Sequence, residues 1–156
     1  MAQLEIVIGN KRYSSWSLRG WLALAMTGQP FAEQLVWLDK PATKGEILAS
    51  NPSGRVPALI DGELVVWDSL AIGEYLAERF PEAGLWPADP AARALARSVV
   101  AEMHAGFAAL RQHLPMDLGT QDPTRGRRPE AQADIARIIA LWQDCRARHG
   151  QGGPFL

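Results

Sequence analysis

Cysteine is nearly absent from this sequence: Cys145 is the only one among 156 residues. No disulfide can close within the chain, and neither a CxxC redox pair nor a cysteine-based zinc site can form. Excess charge is missing too. Lys and Arg number 16 against 17 Asp and Glu, a formal net charge of -1, so no long-range field draws the protein to nucleic acid or to an anionic membrane. The most basic run, RGRR at 125–128, sits between two prolines and reads as a solvated loop. No apolar run approaches the roughly 20 residues that a bilayer needs. The N-terminal stretch MAQLEIVIGNKRY carries an acid in its apolar run and no basic start, unlike a signal peptide. The pattern G-x-S-x-G is lacking, and His104, His113 and His149 all lie in the C-terminal half with no spacing that pairs them with a serine, which argues against a serine hydrolase. The expectation is a soluble, cytoplasmic protein that takes no metal, nucleic acid or membrane as partner.

What is present is a core-forming composition, 47% apolar and 21% charged, at a length suited to one average domain or two small ones. LEIVIG (4–9) is rich in Ile and Val and predicts a buried strand. From Leu18 to Met26 the pattern is helical, with Leu18, Leu22, Ala25 and Met26 on one face. EQLVWL (33–38) predicts a second strand and residues 41–50 a weaker helix before the turn signal NPSG. VPALID (56–61) and ELVVW (63–67) predict a hairpin that turns at Asp61-Gly62. Ser69 opens a helix with Ile72, Leu76 and Phe80 on one face and Pro81 beyond its end. The order βαβαββα combines a parallel pair, joined by a right-handed crossover, with an antiparallel hairpin. This is an α/β domain of thioredoxin-like order over residues 1–80.

Residues 81–90, PEAGLWPADP, have linker composition. Beyond them the chain reads as all-α over 91–156. Leu95, Val99, Met103, Phe107, Leu110 and Leu114 step by three or four, predicting one long amphipathic helix. A loop rich in Pro, Gly and Arg follows at 115–129. Ile135, Ile138, Trp142 and Cys145 mark a second helix that stops at Gly150. Two helices make a poor core, and the sequence ends in GGPFL, so this all-α domain is expected to be truncated. Cys145 reads as an inert core residue.

The stretch GNKRYSSWSLRGWLAL crowds Ser14, Ser15 and Ser17 around Trp16 at the start of the first helix. A serine there satisfies free backbone N–H groups, but three hydroxyls exceed what a cap needs. They follow the first strand, at the end where open α/β sheets bind ligands. A hydroxyl that donates to a thiolate favours the charged form, and the helix N-terminus acts in the same direction. A second polar cluster is RVPALIDGELVVWDSL. A cis Val56-Pro57 bond would present the Val56 backbone to an extended peptide. Ser69 and the helix N-terminus suit a carboxylate, and Asp68 suits an ammonium. Together the two clusters suit a small peptide that carries a thiol.

The motifs YSSWSLRGWLAL, NPSGRVPALIDG and DSLAIGEYLAERFPEAGLWP, in that order and followed by an all-helical segment, resemble a glutathione S-transferase. SSWSLR is similar to the zeta-class stretch S-S-C-x-W-R, with Trp16 in place of the cysteine and Leu18 in place of the tryptophan. The resemblance implies glutathione as co-substrate, with no metal. It implies that Ser14, with Ser15 close behind, stabilises the thiolate. Ser17, Arg55, Val56, Pro57, Asp68 and Ser69 would bind glutathione, and the family's contact in the second helix falls near Ala42. Trp16, Met103, His104 and Phe107 would line the pocket of a small electrophilic acceptor, Arg19 would serve as a structural ion-pair partner, and the protein would be a homodimer. It also implies a further buried helix beyond the point where this chain stops. Two alternatives stand beside a transferase: a non-catalytic binding or assembly protein of the same fold, and a glutathione-dependent isomerase of the maleylacetoacetate type. A thiol-disulfide reductase would lack its nucleophile, since no cysteine occupies the first loop.

Overall fold

A computed structural model describes residues 4–122, 124 and 128–150. Strand β1 (Leu4–Ile8) is central in a four-stranded sheet of order β2-β1-β3-β4. Its near-continuous apolar run follows from being covered on both sides. Leu4, Ile6 and Ile8 face a core with Leu24, Leu59, Ile72 and Leu76, while Val7 faces the other way, onto Val36, Ile47 and Ala58. Strand β2 (Phe31–Leu35) runs parallel to β1. Strands β3 (Ala58–Asp61) and β4 (Leu64–Trp67) form an antiparallel hairpin, with β3 antiparallel to β1. Helices α1 (Ser15–Met26) and α3 (Ser69–Arg79) contribute to the first core, and α2 (Thr43–Ser50) to the second. The βαβαββα order and the thioredoxin-like sheet are therefore present, followed by a helical region.

Several boundaries differ from the sequence-based expectation. Strand β2 begins at Phe31 and ends at Leu35, before the apolar VWL; Val36 N–H still donates to Ile8 O at 2.8 Å. Asp61 pairs with Leu64, so the hairpin loop is Gly62-Glu63 rather than Asp61-Gly62, with Gly62 at φ 61°. Helix α1 begins at Ser15, three residues before the apolar stripe. Its buried face is the opposite of the expected one. Ser17, Gly20 and Leu24 are buried, whereas Leu18, Leu22 and Met26 are 39%, 47% and 67% exposed. Close approach explains the reversal. A Cβ on Gly20 would stand 2.9 Å from Cγ and 3.2 Å from Cβ of Pro57, with Ile72 Cδ1 at 3.5 Å. Only small side chains let α1 lie this close, so the stripe of small residues faces inward. Gly20→Ala is accordingly expected to cost about 1–3 kcal/mol, because a proline ring yields little to an added methyl. Urea denaturation reads this directly, and a variant as stable as wild type would show that no such contact constrains the helix.

The chain divides into two units, Met1–Trp86 and Pro87–Leu156. Residues 81–86 belong with the first: Leu85 packs on its core, and Trp86 Nε1 donates to Glu74 at 3.2 Å. At the sheet edge, Lys11 lies 2.5 Å from Glu33, and Trp21 Nε1 donates to the same carboxylate at 2.6 Å. The Lys11 bond first, then that from Trp21, hold the Glu33 carboxyl below its usual range.

In the second unit the expected long helix is broken in two. Helix α4 (Pro90–Ala105) ends at Gly106, and α5 (Ala108–His113) starts after Phe107, whose φ of 61° is left-handed. Gly106 favours a stop, and two side chains complete it. Arg111 Nε donates to Gly106 O at 3.1 Å, with another nitrogen of the same guanidinium on Met103 O, so the end of α4 is capped. Asp134 accepts from Leu110 N–H at 2.9 Å, capping α5 from helix α6 (Gln132–His149). Phe107, Ile138 and Leu141 form the core of this unit, with Val99, Met103 and Leu110 against it. Arg137 of α6 clamps Glu102 of α4 through two bonds of 2.7 and 2.8 Å. Cys145 is a buried free thiol, while Trp142, expected on the core face, is 57% exposed. Residues 125–127 of the RGRR run and the terminal GGPFL lie outside the described residues. Among the described residues no helix is long and apolar enough to cross a membrane. No group of three or more His, Cys, Asp or Glu is placed there to hold a metal.

Candidate functional site

The site is built from the ends of three neighbouring strands. Val7 near the end of β1 pairs with Ala58 at the start of β3, and Ala58 pairs with Trp67 at the end of β4. One end of the sheet therefore carries the loop from β1 to Ser14, the turn Val56-Pro57, and Asp68-Ser69. Neighbouring strands lie about 4.8 Å apart, so the two outer positions are roughly 10 Å apart. Gly20 seats α1 on Pro57 and Ile72, locking the three pieces together.

At the first position Ser14 caps α1, its Oγ accepting from Ser17 N–H at 3.4 Å. The Ser14 hydroxyl donates to Ser17 Oγ at 2.8 Å, and Gly9 N–H donates to that same Ser17 oxygen at 2.9 Å. Ser17 is buried, with its oxygen taken up by Gly9 and Ser14. Ser15, half-buried in the first helical turn, makes no side-chain hydrogen bond among the described residues. Asn10 fixes the loop and was not singled out from the sequence. It is buried, its Oδ1 accepts from Leu38 N–H at 2.8 Å and from the Tyr13 hydroxyl at 2.9 Å, and its carbonyl accepts from Ser14 N–H at 2.9 Å. Its place directly after the strand glycine was the available signal.

At the middle position the Val56-Pro57 bond is cis. Val56 N–H and C=O take no partner among the described residues. The loop that leads there is held by Asn51, 2% exposed. Asn51 Nδ2 donates to Arg55 O at 3.1 Å, and its Oδ1 accepts from Ser53 N–H at 2.9 Å. The sequence marks NPSG as a turn, and the structure adds that its asparagine is the buried fastener. Arg55 itself is exposed.

At the third position Asp68 caps α3, Oδ1 accepting from Leu70 N–H at 2.8 Å. Its φ of 77° is a left-handed value, which costs a non-glycine residue about 1–3 kcal/mol and is characteristic of functional sites. Ser69 is buried at the first helical position, and its hydroxyl makes no hydrogen bond among the described residues. This corner is held to the hairpin by Tyr75, whose hydroxyl donates to Asp61 at 2.7 Å. Burial first, then that bond, raises the Tyr75 pKa.

The remaining candidates are spread over both units. Trp16 is half-buried in the first turn of α1, with the Arg19 guanidinium 4.5 Å from its ring centre. Arg19 thus makes a cation–π contact with that indole. Ala42 is exposed just before α2 and gives it no side-chain cap. Met103 and His104 are half-buried in the last turn of α4, and Phe107 is buried in the core of the second unit.

Residues 13–79 match the family model described as Glutathione S-transferase, N-terminal domain. The chain is similar to Glutathione S-transferase Z1 of Arabidopsis thaliana, 30% identical over 157 aligned positions that cover 91% of this chain and 69% of the plant protein. It is also similar to a probable maleylacetoacetate isomerase of Caenorhabditis elegans, 36% identical over 85 positions, covering 54% of this chain and 39% of that one. Among solved structures, the theta class glutathione S-transferase of the citrus canker pathogen Xanthomonas axonopodis pv. citri, with glutathione bound, aligns at 32% identity and a TM-score of 0.58, over 93% of this chain and 66% of that one. Other curated relatives are matched over 20%, 36% and 35% of their own length.

Proposed function

Because the chain belongs to the glutathione S-transferase family, we propose that it binds glutathione across the ends of β1, β3 and β4 and ionises its thiol for attack on a small electrophile. The observation that carries this reading is the spacing of the three positions. Glutathione carries its thiol on the central cysteine, and the path from the γ-glutamyl α-carbon through the side-chain amide to that sulfur reaches about 9 Å when extended, close to the roughly 10 Å from the end of β1 to the end of β4. The thiol then lies at Ser14, the peptide backbone beside Val56, and the γ-glutamyl end at Asp68 and Ser69. The relative solved with glutathione bound supports the ligand.

Each residue has a definite task in this reading. Val56 offers its unpaired N–H and C=O to the peptide as an added strand would. Ser69 and the start of α3 receive the γ-glutamyl carboxylate, and Asp68 the ammonium. Ser14, with Ser15 beside it, donates to the sulfur at the positive end of α1, which favours the thiolate. The thiol proton leaves to solvent, the sulfur forms a bond to an electrophilic carbon, and the displaced group departs with the bonding electrons. Trp16, half-buried in the first turn of α1, is the proposed contact for the acceptor. The reading includes a cytoplasmic homodimer.

Calorimetric titration with glutathione tests the site. Wild type is expected to bind, and Ser69→Ala to bind about tenfold more weakly, the loss of one hydrogen bond to a charged group. No heat from wild type at millimolar glutathione would remove the proposal and leave a binding or assembly protein of this fold. The similarity to the worm isomerase favours one second reading, a glutathione-dependent isomerisation at the same site. It predicts turnover of a cis-unsaturated diacid without net consumption of glutathione.

A further inference from the structure

Ser14 faces a conflict over its single hydrogen. A hydroxyl has one hydrogen to give and two lone pairs to accept with. The two hydroxyl oxygens lie 2.8 Å apart, and where Ser14 is the donor its hydrogen is spent on Ser17 Oγ. With that bond in place it has nothing to offer an anion. If Ser14 merely turned its hydrogen outward, two oxygens would face each other at 2.8 Å with no hydrogen between them.

The surroundings of Ser17 resolve this. Ser17 is 3% exposed and its oxygen accepts from Gly9 N–H at 2.9 Å. That bond comes from the main chain at the end of β1 and does not depend on the direction of the Ser14–Ser17 pair. Ser17 can therefore turn its own hydrogen toward Ser14 while Gly9 still holds its oxygen. We propose that Ser17 is a positioning residue for the thiolate, which gives its own hydrogen to Ser14 when an anion is bound and so leaves the Ser14 hydrogen for the sulfur. This rests on the glutathione reading above. The outcome is a chain in one direction: Gly9 N–H to Ser17, Ser17 O–H to Ser14, Ser14 O–H to sulfur. Each donor in such a chain polarises the next. The backbone amide at the end of β1 thereby strengthens Ser14 as a donor without touching the ligand.

The inference separates Ser17 from a ligand contact and from a plain cap. Neither of those would make the acidity of the bound thiol depend on a buried hydroxyl. The test compares wild type with Ser17→Ala, Ser17→Cys and Ser17→Thr. The thiolate of bound glutathione is titrated by its ultraviolet absorbance, and S-methylglutathione, which has no thiol to ionise, is titrated in parallel by calorimetry. Ser17→Ala and Ser17→Cys are expected to raise the bound thiol pKa by about 0.5 to 1, the size of one weakened hydrogen bond. Their affinity for S-methylglutathione is expected to stay within about threefold of wild type, since Ser17 does not touch it. Ser17→Thr keeps the hydroxyl and is expected to restore the wild-type pKa. The nearly isosteric cysteine reads the same quantity if alanine at this buried position does not fold. An unchanged thiol pKa in the folded Ala or Cys variant, with wild type binding both ligands, overturns the relay alone. Failure of wild type to bind either ligand overturns the glutathione reading and the relay with it.

Discussion

Ser14→Ala is expected to lower the rate of thiol addition to an activated aryl halide by about 10- to 50-fold at pH 6.5, and by only a few-fold at pH 8.5 and above. The argument runs through the ionised fraction of the thiol. A free thiol titrates near ~8.5, so about 1% is ionised at pH 6.5. A donor hydroxyl together with a helix N-terminus lowers that pKa by up to about 2, which makes about half of it thiolate at the same pH. Removal of the hydroxyl raises the bound thiol pKa, so the deficit is largest below the wild-type value. It closes as pH rises past the pKa of the variant, where both forms are ionised. The pH–rate profile of the alanine variant should therefore be the wild-type profile displaced to higher pH. A uniform loss at every pH would mean that Ser14 acts on folding or acceptor placement instead. The same profile for Ser15→Ala decides which of the adjacent hydroxyls faces the sulfur: only one of the two variants should show the full displacement.

The second large effect is on stability, and it sets apart two leucines two positions apart on α1. Leu24 is fully buried in the core of the first unit, while Leu22 is 47% exposed. Leu24→Ala removes a packed side chain and leaves a cavity, a loss of about 2–5 kcal/mol. Leu22→Ala lies on the outward face and should change stability by less than about 1 kcal/mol. Equilibrium urea unfolding of both variants gives the comparison. A larger loss at Leu22 than at Leu24 would restore the face that hydrophobic periodicity picks out and would contradict the packing described here.

That contrast shows where the sequence was legible and where it was not. The order of strands and helices in the first unit could be read because β1 is a near-continuous apolar run, Gly62 sits in a two-residue hairpin loop, and Ser14 and Asp68 are strong caps. The caps and turns at this end of the sheet were legible for the same reason, since each has a local chemical signature. The inward face of α1 was not. Periodicity weighs large apolar side chains, whereas the contact with Pro57 selects for small ones, and Ser17 and Gly20 carry no hydrophobic signal. Asn10 and Asn51 escaped because a buried asparagine is recognised by the backbone groups it satisfies, and Asn10 reaches Leu38 across 28 residues of sequence. The break at Gly106-Phe107 was hidden as well. Leu95, Val99, Met103, Phe107 and Leu110 keep helical spacing through it, and only the glycine hinted at a stop.

The cap that Asp134 places on α5 has a consequence for how the second unit folds. The aspartate is 24 residues beyond the amide it satisfies, so part of the instruction to bend at Phe107 is stored outside the segment that bends. Until α6 docks, only Gly106 and the bonds of Arg111 to Gly106 O and Met103 O stand against the cost of the left-handed backbone at Phe107. Bend and docking therefore have to arrive together: closing the loop that brings Asp134 to Leu110 carries the entropy cost, and the cap, the Arg137–Glu102 clamp and the Phe107 core contacts return it in one step. A helical region built this way acquires its shape cooperatively rather than helix by helix.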